Sequence, residues 1–165
     1  MIRLIIVAMI GCLSLSLSAQ SLIKIGGMEC RYRILGDSIE WQIEAPTTGW
    51  VGIGFNQENS IVKSDLLLFR VINERIEGQD LFVVSFGNPK LDTSLGGKQS
   101  FGRLKGWEKN KKTYIQFRLP FSTTYTYDFT FKKGQPFWLI LAYSVSDDFG
   151  HHSRMRKHVL FEIEE

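Results

Sequence analysis

Two cysteines and four prolines are all that the 165 residues contain, and no known catalytic signature accompanies them. Cys12 lies inside the apolar start of the chain, which leaves Cys30 as the one thiol beyond it and excludes a disulfide framework. Cys30 then reads as a small buried hydrophobe near a strand start, or else as a reactive or pairing thiol. No nucleophile elbow, phosphate-binding glycine loop or HExxH arrangement occurs, so the chain is expected not to be an enzyme by itself. Charge of one sign is lacking too, since 20 basic residues face 17 acidic ones. The clusters Lys109, Lys111, Lys112 and Arg154, Arg156, Lys157 have no interleaved aromatics and read as solvated faces, which argues against nucleic acid as a partner. Helical periodicity is scarce.

The one long apolar stretch stands at the start. Met1, Ile2 and Arg3 give a short positive beginning, residues 4–17 are apolar apart from small residues, and residues 16–20 offer a cleavage site after Ser18 or Ala19. This pattern is that of a secretory signal, expected over residues 1–19. Serines at 14, 16 and 18 shorten the run below the roughly 20 apolar residues that a membrane span requires. A lipoprotein is the alternative, because Met9, Ile10, Gly11 and Cys12 resemble a lipobox, although the sequence after Cys12 stays apolar. Loss of residues 1–19 removes Arg3, their one charged residue, and lowers the net charge of +3 by one. The remaining chain, 20–165, is expected to be secreted or periplasmic and to form one domain around one core.

From Met28 onward, runs rich in β-branched and aromatic residues alternate with Gly, Asn, Pro and Asp, which predicts an all-β chain. Strands are expected at 29–35, 38–45, 50–56, 65–72, 80–87, 100–105, 113–119, 137–144 and 158–163. Gly36 with Asp37, and the polar residues 108–112, suit hairpins and hence antiparallel pairing. Ile39, Trp41, Ile43 and Ala45 alternate with Glu40, Gln42 and Glu44, so one face of that strand is buried and the other wet. The unbroken apolar run Phe137, Trp138, Leu139, Ile140, Leu141, Ala142 predicts a central strand covered on both faces. Short antiparallel strands in two packed sheets, an immunoglobulin-like β-sandwich, satisfy all of this.

Glycine falls at 49, 52 and 54, in and beside a strand, where it weakens packing. Such placement implies either close approach by another backbone or a flat ligand, or else a sandwich corner or bulge. Trp50 beside them either walls a pocket or fills the core. Late in the chain His151 and His152 sit side by side after Asp147 and Asp148, in a segment that either presents a ligand-facing histidine or is an exposed polar loop. In an extended backbone, neighbours point to opposite faces, so one of the pair is expected to face a given pocket. With His158, these residues also offer N and O donors to a metal, in a spacing that matches no specific ligand pattern.

The segment Gly49, Trp50, Val51, Gly52, Ile53, Gly54, Phe55, Asn56, followed by Ser64, Asp65 and an apolar strand, resembles the DOMON domain family. The late run Leu141, Ala142, Tyr143, Ser144 leading to the histidines extends the resemblance over nearly the whole chain beyond residue 28. It implies an exported binding module for haem b or a sugar, with Trp50, Tyr143, His151 and His152 near the pocket. Haem would make it an electron carrier with a redox or membrane-protein partner, and His151 or His152 would be the axial ligand. The resemblance to haem-binding members implies a second ligand, a methionine in the loop before the Ser-Asp pair; the matching position here holds Ile61, with Lys63 or Met155 as substitutes. A sugar would want an aromatic platform, which Trp107, Tyr125 and Tyr127 could supply. A structural or protein-interaction module with no cofactor is the alternative, and a small metal-dependent enzyme is a third.

Overall fold

The computed structural model describes residues 21–164. The expected signal segment and Cys12 lie outside the described residues. In chain order the strands are β1 (Ser21–Ile25), β2 (Met28–Leu35), β3 (Ser38–Ala45), β4 (Val51–Asn56), β5 (Asp65–Ile72) and β6 (Arg75–Ser85). There follow β7 (Asn88–Leu91), a short 3-10 turn (Asp92–Leu95), β8 (Gly102–Lys109), β9 (Lys112–Pro120), β10 (Phe137–Tyr143) and β11 (Met155–Phe161).

Residue alternation sorts these strands into two layers. In β3 the side chains of Ile39, Trp41, Ile43 and Ala45 are buried, and in β4 those of Val51, Ile53 and Phe55 meet them from the other layer. The first sheet runs β1-β2-β3-β9-β8 and the second β11-β10-β4-β5-β6-β7, with every pairing antiparallel. The sandwich is therefore all-β and antiparallel, as the sequence predicts. Trp41 lies at its centre, within 6.4 Å of the ring centroids of Tyr32, Phe55, Phe131 and Phe161. Cys30 is fully buried in this core, where loss of hydration pushes its thiol up to about 12 and leaves it inert as a nucleophile at neutral pH.

Two edge strands, β1 and β7, were not expected. β7 contains Pro89, which cannot donate to a ladder and is tolerated because the strand is at the sheet edge. β6 starts at Arg75 rather than 80; Gly78 interrupts the apolar pattern of its first half, for a packing reason. A Cβ there would stand 2.7 Å from Phe101 and 2.8 Å from Phe69. Hairpin turns fall where left-handed backbone is tolerated, at Asn73–Glu74 and at Asn110–Lys111, all with positive φ.

β10 is covered on both faces, as its unbroken apolar run predicts. Phe137, Leu139 and Leu141 face the core, while Ile140 and Ala142 face away from the other sheet yet are 1% and 5% exposed. What shields that outer face is the site described next.

Candidate functional site

A cleft of about 460 Å³ opens on the outer face of the six-stranded sheet. Its floor comes from alternate residues of three adjacent strands: Gly52 of β4, Leu66 and Leu68 of β5, and Ile140 and Ala142 of β10. These are the partners, by two-residue alternation, of side chains that build the core on the other face. Gly52 keeps the floor low, since a Cβ there would lie 2.8 Å from Leu68 and 3.4 Å from the Trp50 ring.

One end of the cleft is the 144–154 loop, which contributes Phe149, His151 and His152. This loop is held by a dense set of bonds. Trp50 donates its backbone N–H to Ser146 O at 3.0 Å and its indole N–H to His151 O at 3.1 Å. The Ser144 hydroxyl donates to His152 O at 3.2 Å, and Arg70 donates to Asp147 O at 2.9 Å while its guanidinium lies 4.4 Å from the Phe149 ring centre. Asp148 closes an inner turn by accepting the N–H of Gly150 at its side chain and that of His151 at its carbonyl, both at 2.9 Å. Gly49 permits the whole arrangement. A Cβ at that position would stand 2.6 to 2.7 Å from the backbone of residues 144–146.

The other end is built from Ile61 and the β6–β7 hairpin, with Val83, Phe86 and Pro89 in the wall. In the antiparallel register, Tyr143 pairs with Val51 at the histidine end, and Trp138 pairs with Asn56 at the Ile61 end, so the two loops enclose the length of the floor. Asn56 shapes the Ile61 loop by donating its side-chain amide to the carbonyls of Ser60 at 2.7 Å and Val62 at 2.9 Å. Arg156 reaches the cleft from β11.

Trp50, His151 and His152 thus come together around one cavity. Both histidines line it, rather than one, because the segment there is a turn and not an extended strand. Tyr143 does not join them. It falls in step with Phe137, Leu139 and Leu141 and packs on the inter-sheet core. Met155 also packs on that core, from the inner face of β11, and its sulfur fills the space where a Gly26 Cβ would stand. Lys63 is exposed, adopts positive φ and donates its backbone N–H to Val83 O at 2.7 Å, with its side chain outside the cleft lining. His158, named from the sequence as a metal donor alongside the other two histidines, stands apart from them: alternation along β11 places it on the outer face beside Ile140. Its Nδ1 is 3.0 Å from Asn59 Oδ1, in the Ile61 loop. The aromatics named for a sugar do not form one platform: Tyr127 packs on Phe82 and Tyr125 lies under Lys98, while Trp107 stands on the outer face of the five-stranded sheet against Tyr114.

The family model of the DOMON domain matches residues 24–144. The chain belongs to the DOMON family. The match takes in both sheets up to the end of β10 and stops just before the histidine loop. Two solved relatives share the fold. The cytochrome domain of Myriococcum thermophilum cellobiose dehydrogenase has a TM-score of 0.65 at 8% identity, covering 88% of this chain and 82% of that one. The cytochrome b domain of pyranose dehydrogenase from Coprinopsis cinerea has a TM-score of 0.61 at 12% identity, covering 82% and 76%. A curated relative, MOXD1 homolog 2 of Drosophila melanogaster, is 26% identical over 92 residues, which make up 56% of this chain and 12% of that protein.

The residues of the cleft fit a haem group in part. An apolar floor, a ring-bearing wall in Phe149, two imidazoles and one guanidinium suit a flat apolar macrocycle with anionic side groups. The cleft lining offers no sulfur ligand, and Ile61 stands at the end opposite the histidines.

Proposed function

We propose that this DOMON domain is an exported haem-binding module that exchanges electrons with a partner protein and performs no catalysis of its own. The observation that carries the reading is the pairing of both imidazoles with an apolar, ligand-sized floor on the outer face of β4, β5 and β10. The cytochrome domains that share its fold support it, as does the apolar start of the chain for export. Haem iron would supply the one-electron chemistry, and this chain's residues do the rest. His151 or His152 offers an imidazole nitrogen, Arg156 offers positive charge to the acidic side groups, and Leu66, Leu68 and Ile140 exclude water from the buried face. With Ile61 where a thioether would stand, the cleft lining supplies iron ligands from the histidine end alone.

An absorption spectrum of the chain, produced with its own leader in a haem-sufficient host and recorded oxidised and reduced, tests this. A Soret band that shifts on reduction and disappears in either His151→Ala or His152→Ala is the expected result. A colourless protein that takes up no added haemin overturns it and leaves a cofactor-free interaction module.

A second reading has its own observation. Trp107 is 48% exposed and stacks on Tyr114 with ring centres 5.3 Å apart and planes 4° from parallel. Arg31, Glu44 and Gln116 surround this pair in a shallow hollow of about 140 Å³ on the five-stranded sheet. An aromatic surface ringed by hydrogen-bonding groups is what a sugar ring requires. Retention on insoluble polysaccharide, lost in Trp107→Ala with the haem spectrum unchanged, is the result expected for a sugar site separate from the cleft.

A further inference from the structure

Three carboxylates converge on the inner side of the six-stranded sheet, behind the cleft. Asp80 belongs to β6 and lies in register with core residue Leu67, Asp92 opens the 3-10 turn, and Asp128 comes from the 121–136 connection. One oxygen of each lies within 4.8 Å of the other two. Asp92 is fully buried, and neither of its carboxylate oxygens has a hydrogen-bond partner. Oδ1 of Asp80 and Oδ1 of Asp128 are enclosed and unpartnered as well.

The bonds that these groups do make leave those oxygens free. Ser100 donates to Asp80 Oδ2 through its N–H at 2.6 Å and its hydroxyl at 2.8 Å, and the Thr123 hydroxyl donates to Asp128 Oδ2. A fourth acid, Asp65, is 4% exposed at the start of β5. Its Oδ2 accepts the Phe129 N–H at 2.8 Å, and its Oδ1 has no partner. Among the described residues no lysine or arginine forms an ion pair with any of the four.

Enclosed oxygens of like charge, so placed, must be satisfied by protons or by a cation. One proton can bridge Asp92 and Asp128, but it leaves Asp80 Oδ1 unanswered. A divalent cation answers three carboxylates at once. We propose that Asp80, Asp92 and Asp128 bind a hard divalent cation, calcium foremost. Every donor is a carboxylate oxygen, with no imidazole or thiolate in the group, which selects calcium over zinc or copper. The three ligands come from segments far apart in sequence, so the cation ties β6 and the turn after β7 to the 121–136 connection. The same β6–β7 hairpin presents Phe86 and Pro89 to the cleft on the opposite face.

The test compares the whole chain dialysed against EDTA with the chain dialysed against millimolar calcium chloride, by metal analysis and thermal unfolding. A stoichiometric calcium ion and a Tm higher by about 5 to 10 °C are expected at saturation. Asp92→Asn is expected to remove the calcium-dependent shift, and Asp128→Asn serves if that variant does not fold. Equal Tm values in EDTA and calcium with no retained metal overturn the proposal, as does a shift that persists in both variants. The haem spectrum is recorded in parallel, and its presence or absence bears on the cleft alone.

Discussion

The indole N–H of Trp50 donates to the backbone carbonyl of His151 at 3.1 Å, joining the entry of β4 to the histidine loop across 101 positions of sequence. The same ring packs in an outer cluster with Leu68, Leu81 and Ala142. One side chain therefore both lines the cleft and fixes the loop that carries its histidines. Trp50→Phe keeps an aromatic body and removes the donor. The expected outcome is a stability loss of about 1 kcal/mol in urea unfolding, together with weaker haemin uptake. Unchanged uptake would show that the loop is held without this bond.

Gly49 and Gly52 make different demands on the chain, three residues apart. A Cβ at Gly49 would strike backbone atoms of residues 144–146, which have nowhere to go, whereas at Gly52 it would meet the end of the Leu68 side chain. Gly49→Ala is expected to destabilise the fold by about 1–3 kcal/mol. Gly52→Ala is expected to leave the fold nearly intact, as Leu68 can turn, but to raise the cleft floor and reduce ligand uptake. Thermal unfolding and haemin titration of the two variants check the contrast, and equal stability losses would contradict it.

The sandwich was legible because period-two alternation is enforced wherever one face is dry, as in Ile39, Trp41, Ile43 and Ala45. It failed at β1 and β7, where edge strands bury little and leave no pattern, and at Gly78, whose reason is a cross-sheet contact with Phe101. Trp50 was found because it stands among glycines that no ordinary strand needs, and His151 and His152 because they sit side by side after Asp147 and Asp148 in a segment that resembles the family's late loop. Tyr143 was misplaced off the core face, although alternation from Leu139 and Leu141 determines its direction. The carboxylate cluster was not legible, since Asp80, Asp92 and Asp128 meet only after three segments have folded.

Glu40 gives the fold an acid limit. It is buried in the five-stranded sheet and bonded to Arg33 at 2.6 Å and Arg118 at 3.1 Å. Burial by itself would raise its carboxyl, but hydrogen bonds from Arg118, Arg33 and Gln116 outweigh that and hold it below the ordinary 4.5. A group depressed on folding contributes stability above its unfolded value and loses it as pH falls through the folded one. Wild type is thus expected to lose stability as pH drops below about 4.5, and Glu40→Gln to be less stable at neutral pH but to lose less over that acid range. Urea midpoints measured across that range decide it, and parallel slopes for the two proteins would exclude Glu40 as the source.

Ile61 is the side chain that sets the ligand count in the cleft. It enters from the loop at the Asn56 end, while both imidazoles enter from the other end of the same strands. Isoleucine and methionine are both apolar and of similar volume, and the cleft is open enough to admit an unbranched chain, so Ile61→Met is expected to change stability by less than about 1.5 kcal/mol. Its thioether can approach iron from the side that the wild-type lining leaves without a donor. In haem-loaded protein the wild type is expected to bind added cyanide or imidazole readily, and Ile61→Met to give a sharper reduced spectrum and to resist both. A wild-type protein that already excludes these ligands would mean that another side chain occupies the second position, with His158, on the same face beside Ile140, the first to replace by alanine.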